Sequence, residues 1–323
     1  MRKEDIIKTL KATDSTVLSF PDRGNEWGSN KYRGNCSGYI QAYMIWKYHV
    51  NYLSELFAGS GTGSDVCKDM GIKYFGMDLN PNPVRKDIIT FDALIDEVPD
   101  EVRESDMCFM HPPYSELIRI PYAGSMWKDE TGECAKSDLG QMPWDKFMNE
   151  LNKVIMKFYS SMSKGSRMAV LMGDVRRQGF HSMFTDIVKP GTMEQVYIKM
   201  QHNCVSNGRS YSSYNFAPIV HEYIMVLKKA SDLFIDFQLP TKHELDIRNS
   251  RSATWADVVS AVLSSLGGKA SLSQIYEKIE GHKKCETNNN WQAKVRQTLQ
   301  MHNYFNRVSE GVWAIDTNRV CAA

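Results

Sequence analysis

The sequence predicts an α/β fold in which a mainly parallel sheet carries helices on both faces, followed by a smaller second domain. Short apolar runs alternate with helical stretches over about 180 residues, a pattern typical of parallel strands joined by crossover helices. Two late apolar segments, Gln195–Met200 and Val220–Leu227, indicate a closing hairpin that adds one antiparallel strand. A chain of 323 residues is long enough for one large domain and an appendage.

The first domain divides into elements in a regular order. Residues 1–30 are polar and contain turn signals, so we expect a partly ordered lead-in segment there. The later predicted elements are a helix at Tyr39–Tyr48, a strand at Tyr52–Phe57 with a glycine turn after it, a helix at Ser64–Met70, a strand at Lys73–Met77, a strand at Met107–Met110, a helix at Trp144–Met162 and a strand at Arg167–Met172.

The pattern changes after Lys229. Residues 236–252 are polar and aperiodic and contain a proline, which is typical of a linker. Three compact helical segments follow, and then two short strands around Glu310-Gly311, an order typical of a winged helix. We therefore predict a first domain at 1–235, a linker at 236–252 and a winged-helix domain at 253–323.

Charge and cysteine usage exclude several protein classes. The net charge of +1 rules out the global basic field of a histone-like protein, although residues 241–323 carry a net +3 that weakly suggests contact with phosphate. The seven cysteines are odd in number and never spaced as CxxC. This argues for reduced thiols and against both a disulfide framework and a structural zinc site, and we expect no bound metal.

The sequence also bears on cellular location. No apolar run approaches the roughly 18 residues of a membrane span. The amino terminus, MRKEDIIKTLK, carries charges where a signal peptide has an apolar core. We expect a soluble, cytoplasmic protein with no membrane partner.

A glycine-rich turn follows the first predicted strand of the alternating region. In ELFAGSGTG, Gly59, Gly61 and Gly63 let the backbone bring N–H groups close to a ligand, beside the positive end of the next helix. The alternative is that the three glycines form a plain tight turn that binds no ligand.

Asp78 ends the next strand, 15 residues after the last glycine, where α/β cofactor sites place a carboxylate that binds ribose hydroxyls. Capping of the next turn is its alternative role. No Walker lysine follows the glycines, which disfavours nucleotide hydrolysis.

The segment HPPY ends the strand at Met107–Met110. Pro112 and Pro113 fix φ and remove two backbone donors, which leaves carbonyl oxygens free as acceptors. An exocyclic amine of a base is a poor nucleophile, and acceptors on its hydrogens favour a reactive, pyramidal state. The ring of Tyr114 can stack on a base that has left the double helix. With the glycine turn, the segment predicts a methyl transfer site with His111, Pro112, Pro113 and Tyr114 as catalytic residues.

LSELFAGSGTG and MHPPY resemble the cofactor and catalytic motifs of the DNA amino-methyltransferases, which use S-adenosylmethionine. The resemblance spans roughly residues 30–230 and implies a Rossmann-like methyltransferase fold. It implies cofactor binding by Glu55 and Phe57 before the glycines, by Asp78 at the ribose and by Asp92 near the adenine. Residues 33–48 resemble the segment that holds the methionine end, with Asn35 and Ser37 as candidates there.

His111 departs from that family's pattern, which has Asp, Asn or Ser at this position. A histidine can accept a hydrogen bond only through one neutral ring nitrogen. An imidazolium would repel the sulfonium of the cofactor and could not accept. Three alternatives follow: His111 works as the neutral ring, the Pro112 carbonyl holds the amine alone, or catalysis is impaired.

Candidate DNA-binding residues lie in three segments. Arg119 and Lys128 fall in the long stretch 115–142, together with Tyr122 and Trp127, and loops this long are usually functional. Arg209 and Tyr211 fall in NGRSYSSYNF, a composition suited to phosphate and base contacts. NNNWQAKVRQTLQ resembles the recognition helix of winged-helix modules in restriction–modification proteins, with Lys294, Arg296 and Gln297 as candidates. For the first two segments the alternative is a solvated surface loop. For the third the alternative is a module that docks on another protein.

The resemblance implies a site-specific DNA methyltransferase that flips a base out of double-stranded DNA, with adenine N6 favoured over cytosine N4. It allows a cognate restriction endonuclease as a partner. The competing hypotheses are an RNA or small-molecule methyltransferase and a catalytically weak DNA-binding regulator.

Overall fold

The chain forms two compact units in the computed structural model, Met1–Pro240 and Thr241–Ala323. The structure describes residues 1–29, 31–118, 120, 122, 126–129, 132–202, 217–233, 235–240 and 253–316. The predicted domain boundaries stay a prediction, because most of the predicted linker at 236–252 lies outside the described residues.

Twelve strands are described in the larger unit: β1 (Val17–Leu18), β2 (Tyr52–Leu56), β3 (Lys73–Asp78), β4 (Ile88–Thr90), β5 (Met107–Met110), β6 (Arg167–Met172), β7 (Asp174–Arg176), β8 (Phe180–Ser182), β9 (Lys189–Pro190), β10 (Thr192–Met200), β11 (His221–Lys228) and β12 (Phe237–Gln238). Eight of them form one sheet in the order β1-β10-β11-β6-β5-β2-β3-β4. From β4 to β6 all neighbours are parallel, whereas β11 is antiparallel to both β6 and β10. The predicted Rossmann-like fold, with a mainly parallel sheet and an antiparallel terminal hairpin, is confirmed.

The helices of the larger unit are α1 (Lys3–Ala12), α2 (Gly38–Lys47), α3 (Thr62–Met70), α4 (Asp100–Glu104), α5 (Ser115–Ile118), α6 (Trp144–Ser161) and α7 (Met183–Asp186). Helix α6 illustrates why they form. Its buried residues Phe147, Leu151, Val154 and Phe158 recur at the spacing of one helix face, so folding of this segment buries a continuous apolar stripe.

Hydrophobic cores cover both faces of the sheet. On β5, Cys108 and Met110 pack into the core that contains α6, while Met107 and Phe109 pack into the core that contains α1, α2 and α3. A parallel strand buried on both faces carries apolar side chains at every position, as β5 does. The sheet is therefore a rigid base for the loops at its carboxyl edge.

Part of the predicted lead-in segment is helical. Ile6 and Leu10 on α1 are fully buried, one helical turn apart, so the helix docks on the core through two residues. The polar composition of residues 1–30 hides this stripe, so the sequence carries no clear signal for the helix within the predicted lead-in segment.

The smaller unit contains α8 (Trp255–Ser265), β13 (Lys269–Ser271), α9 (Leu272–Ile279), α10 (Lys283–Glu286), α11 (Trp291–Met301), β14 (Phe305–Ser309) and β15 (Val312–Ile315). Its strands form an antiparallel sheet in the order β13-β15-β14. Capping boxes start α8 at Thr254 and α9 at Ser271, which explains the clear helix starts in the sequence. None of the helices described in either unit is long and apolar enough to cross a membrane.

Candidate functional site

The turn between β2 and α3 forms the floor of a cleft. Gly59 and Gly61 have φ angles of +52° and +78°, in the left-handed region that favours glycine. Gly63 is needed for another reason, because a Cβ there would lie 2.1 Å from Oε2 of Glu55. Helix α3 begins directly after the turn, at Thr62, so its first N–H groups and its positive dipole end lie at the cleft.

Asp78 connects this turn to the end of β3. Its carboxylate accepts hydrogen bonds from the N–H of Gly59 at 2.8 Å and from the N–H of Asn80 at 2.9 Å. Burial raises the pKa of Asp78. The side chain therefore caps the following turn, which is one of its two predicted roles, and also lines the cleft. Ribose binding by Asp78 stays a prediction.

Glu55 lies on β2 beneath the glycines. Gln41 donates its amide to Oε1, and Tyr74 donates its hydroxyl to Oε2 at 2.5 Å. Burial raises the pKa of Glu55 to about 8, against the opposing effect of these donors. Oε1 of Gln41 has no hydrogen-bond partner among the described residues, although Gln41 lines the cleft. The helical pattern of α2 gave no signal for this polar residue.

The segment before α2 borders the same turn. Asn35 accepts a hydrogen bond from the Thr62 hydroxyl at 2.7 Å and donates to the Ser29 carbonyl at 3.1 Å. The hydroxyl of Ser37 donates to the Arg23 carbonyl at 3.2 Å. Asn35 thus faces the glycine turn, and Ser37 faces away toward Arg23.

One cavity brings together most of the predicted cofactor residues and half of the catalytic motif. Its lining includes Asn35, Glu55, Phe57, Gly59, Asp78, His111 and Pro113. Ser37, Gly61, Gly63, Asp92, Pro112 and Tyr114 are not among its lining residues. Asp92 caps its own turn by accepting the N–H of Leu94 at 2.9 Å, while its neighbours Phe91, Ala93 and Leu94 line the cavity.

The carboxyl groups that line this cavity belong to Glu55, Asp78 and Asp138, and no lysine or arginine is among its lining residues in the described part of the chain. Asp138 accepts the N–H of Gly140 at 2.8 Å and is 2% exposed. Burial raises its pKa. Such a lining favours a cationic ligand. Nothing in the sequence distinguishes Asp138 from other surface acids in a long loop, so it was not among the predicted site residues.

Three aromatic rings close one side of the cavity. Tyr122 stacks between Tyr32 and Trp127, with ring centroids 5.7 Å apart in both pairs. The indole N–H of Trp127 donates to the Tyr32 hydroxyl at 3.0 Å. Part of the long 115–142 stretch therefore belongs to the cavity wall and is not merely a solvated surface loop.

The catalytic motif follows β5, which lies next to β2 in the sheet. Met110 pairs with Leu56, so HPPY and the glycine turn leave the sheet side by side, as the sequence predicts. Burial lowers the pKa of His111 to about 4, with Glu222 acting to raise it and Lys199 acting to lower it. At neutral pH the ring is therefore uncharged and has one nitrogen that can accept a hydrogen bond.

Residues of β10 and β11 fix the hydroxyl end of Tyr114. Its hydroxyl donates to Oε1 of Glu222 at 2.8 Å, and Glu222 forms an ion pair with Lys199. The Tyr114 ring lies in a T-shaped arrangement with the ring of His111, with centroids 6.0 Å apart. Glu222 and Lys199 fall in apolar strand patterns, where the sequence gives no sign that they reach the motif.

Four of the seven predicted DNA-binding residues belong to the part of the chain that the structure describes. Arg119, Arg209 and Tyr211 lie outside the described residues. Lys128 is exposed and its backbone has a φ of +55°. On α11 of the smaller unit, Lys294 and Gln297 contact each other at 2.9 Å, while Arg296 donates to the Tyr276 hydroxyl on α9 at 2.9 Å.

No protein-family model and no curated protein matches the sequence. Among solved structures, the chain is similar to the N-methyltransferase NodS from Bradyrhizobium japonicum WM9, with 10% identity and a TM-score of 0.37 over 71% of this chain and 98% of that one. It is similar to an RNA methyltransferase from Salinibacter ruber, with 9% identity and a TM-score of 0.31 over 64% of this chain and 95% of that one. It is also similar to TrmN from Thermus thermophilus, with 11% identity and a TM-score of 0.35 over 61% of this chain, a match that spans half the length of TrmN.

Proposed function

We propose that this chain is an S-adenosylmethionine-dependent methyltransferase that modifies an exocyclic amine of a base in double-stranded DNA, with adenine N6 as the target. The observation that carries the proposal is the single cavity shared by the glycine turn, Asp78 and the HPPY segment. Cofactor and catalytic motifs that are about fifty residues apart in sequence meet at the carboxyl ends of β2, β3 and β5, where α/β sheets bind their ligands.

The residues of the cavity fit the cofactor. S-adenosylmethionine carries a sulfonium and an ammonium and, when bound, supplies an activated methyl group. Asp78 and Asp138 give the cavity an acidic lining that suits these cations, and a bound cation would also favour ionisation of Glu55. Each oxygen of Asp78 accepts one backbone N–H, and a carboxylate oxygen has a further lone pair, so Asp78 can also accept ribose hydroxyls. Asn35 and the unpartnered oxygen of Gln41 provide further acceptors.

The catalytic motif fits an amine that must lose a proton. The uncharged ring of His111 can accept one amine hydrogen, and the Pro112 carbonyl is the second candidate acceptor. Tyr114 would stack on the flipped base, at an unstacking cost of a few kcal/mol that the stacking partly offsets. The choice of adenine N6 over cytosine N4 rests on the family resemblance alone.

The smaller unit supports DNA as the substrate. Its order of helices and strands is compatible with the predicted winged helix, and α11 exposes Lys294, Arg296 and Gln297. A helix of this kind can enter the major groove and contact base edges. We propose double-stranded DNA as the partner that α11 contacts.

Expression in a methylation-free host, followed by single-molecule sequencing of the host DNA, tests the proposal. We expect methylated adenines at one recognition sequence, and their loss in the Asp78→Asn variant. Methylated cytosines instead of methylated adenines would show that the target is cytosine N4 and not adenine N6. Purified protein that binds S-adenosylhomocysteine and DNA but transfers no tritiated methyl group between pH 6 and 9 would indicate a DNA-binding regulator. Methyl transfer to RNA alone would contradict DNA as the substrate.

A further inference from the structure

A buried ion pair lies directly behind the catalytic motif. Lys199 near the end of β10 is paired in register with Glu222 near the start of β11. Their side chains are 12% and 8% exposed and form an ion pair. Because β11 is antiparallel to β6, its first residues lie at the same sheet edge as the ends of β5 and β6.

Stability alone does not explain this pair. Removing two charges from water costs several kcal/mol per ion, and replacing a buried ion pair by apolar residues of similar size is often neutral or stabilising. Strand β11 is otherwise rich in apolar residues that pack into the cores, and the neighbouring β10 contributes Tyr197. The pair therefore calls for a role in its immediate surroundings.

Those surroundings are the HPPY segment. Glu222 accepts the Tyr114 hydroxyl at 2.8 Å. A Cβ at Gly173, the residue after β6, would lie 3.2 Å from the Tyr114 ring and 3.3 Å from Cγ of Glu222. The backbone of Gly173 thus supports the Tyr114 ring from one side, while Glu222 fixes its hydroxyl end. Both contacts act at the hydroxyl end of the ring, because the Tyr114 atoms nearest to that Cβ are Cε2 and the hydroxyl oxygen, each at 3.2 Å.

We propose that Lys199 and Glu222 are positioning residues of the catalytic motif: Glu222 fixes the stacking ring of Tyr114, and Lys199 cancels the Glu222 charge so that His111 stays unprotonated. This inference rests on the function proposed above and adds to it the residues that fit a histidine into the motif. The Tyr114 ring lies 6.0 Å from the His111 ring, and its hydroxyl is bound by Glu222. A carboxylate on this side of an imidazole, without a compensating cation, draws a proton onto the ring.

The charged groups around His111 act in the directions that the proposal needs. Burial lowers the pKa of His111 to about 4, Glu222 opposes this effect and Lys199 reinforces it. Although burial favours the neutral acid, Lys199 and the Tyr114 hydroxyl help to hold the pKa of Glu222 at about 2. Cys36 also faces the pair, and burial raises its pKa to about 12, so it remains a neutral thiol. Glu222 is thus ionised throughout the working pH range, and Lys199 is its counter-charge.

Titration of His111 by NMR, in the full-length chain with labelled histidines, tests the charge effect without any ligand. The His111→Asn variant identifies the resonance. We expect the His111 midpoint to rise by about one pH unit or more in Lys199→Met. Lys199→Gln, which keeps a donor toward Glu222, serves as a second variant if Lys199→Met does not fold.

The double variant Lys199→Met/Glu222→Gln is the control. Its His111 titration midpoint should return to that of the wild type. An unchanged midpoint in the folded single variants would overturn the proposal.

The double variant Lys199→Leu/Glu222→Leu tests the positioning effect, since an apolar pair is expected to fold. We expect its methyl transfer to fall by about tenfold or more, because small misplacements in an active site have large effects. Adding Tyr114→Phe should cause no further loss in that background, and affinity for S-adenosylhomocysteine should be unchanged throughout. Wild-type transfer rates in the double variant would refute the positioning role. If the wild type itself neither binds S-adenosylhomocysteine nor transfers a methyl group, the proposed function fails, while the titration still decides the charge effect.

Discussion

The backbone N–H of Gly59 donates a 2.8 Å hydrogen bond to the carboxylate of Asp78. The glycine turn after β2 and the acid at the end of β3 are therefore one unit, and a change in either one moves the other. The site thus depends on the pairing of two parallel strands.

Asp78→Asn should reduce the affinity for S-adenosylhomocysteine by at least about tenfold. The amide has one oxygen for two backbone donors, and its NH₂ group would face either the turn or the ligand, where an acceptor is needed. Isothermal titration calorimetry measures the effect. Asp145→Asn, on the exposed first turn of α6, is the matched control and should bind as the wild type does. Equal affinities of the two variants would refute the role of Asp78.

Gly63→Ala should destabilise the larger unit by about 1–3 kcal/mol, since the added Cβ would overlap Oε2 of Glu55 in a packed interior. Urea unfolding measures the change. The double variant Gly63→Ala/Glu55→Ala removes the overlapping carboxylate, so its loss of stability should be smaller than the sum of the two single losses. If the losses of stability in the two single variants add, the structure relieves the overlap between the new Cβ and Glu55 by a movement elsewhere.

Glu55 should make stability fall with rising pH. Its pKa in the folded protein is about 8, above its unfolded value, so the folded state binds the proton more tightly. The contribution is complete below about pH 4.3, the unfolded pKa, and is lost as pH rises through about 8. Its size is on the order of 4–5 kcal/mol. Urea unfolding at pH 5 and pH 9 should therefore show a smaller difference for Glu55→Gln than for the wild type; an equal difference would refute the raised pKa.

Trp127→Phe should weaken S-adenosylhomocysteine binding by about three- to tenfold. The change removes the hydrogen bond to Tyr32 and part of the stacking on Tyr122, interactions worth roughly 0.5–1.5 kcal/mol each. Isothermal titration calorimetry at a single pH measures this change in affinity. Trp144→Phe, beside His181 and not among the residues lining the cavity, should leave the affinity unchanged. Equal weakening in both variants would point to a general loss of packing.

Lys294→Ala should weaken DNA binding for all sequences alike and reduce the slope of log K against log salt by about 1. Gln297→Ala should instead reduce the preference for the recognition sequence. Both positions are exposed, so thermal stability should not change. Fluorescence anisotropy over a range of salt concentrations measures both effects, with Lys8→Ala on α1 as the control. A protein-docking role of the unit predicts no change in either variant.

The sequence was most informative where backbone geometry forces residue type. The left-handed φ of Gly59 and Gly61 favours glycine, and the two prolines after β5 restrict the backbone by their own chemistry, so both motifs stand out. Asp138, Gln41 and Glu222 are different, because their roles depend on which strands and loops become neighbours. Periodicity treats Glu222 as an ordinary strand residue, and only the antiparallel entry of β11 brings it to Tyr114.

That reversed strand has a practical consequence for engineering. In the parallel strands β2, β3 and β5, the positions to mutate near the site are the last residue of the strand and the loop that follows it. In β11 they are the first two residues, His221 and Glu222. A mutagenesis library that samples only the carboxyl ends of strands would leave unchanged one of the two contacts that fix the stacking tyrosine.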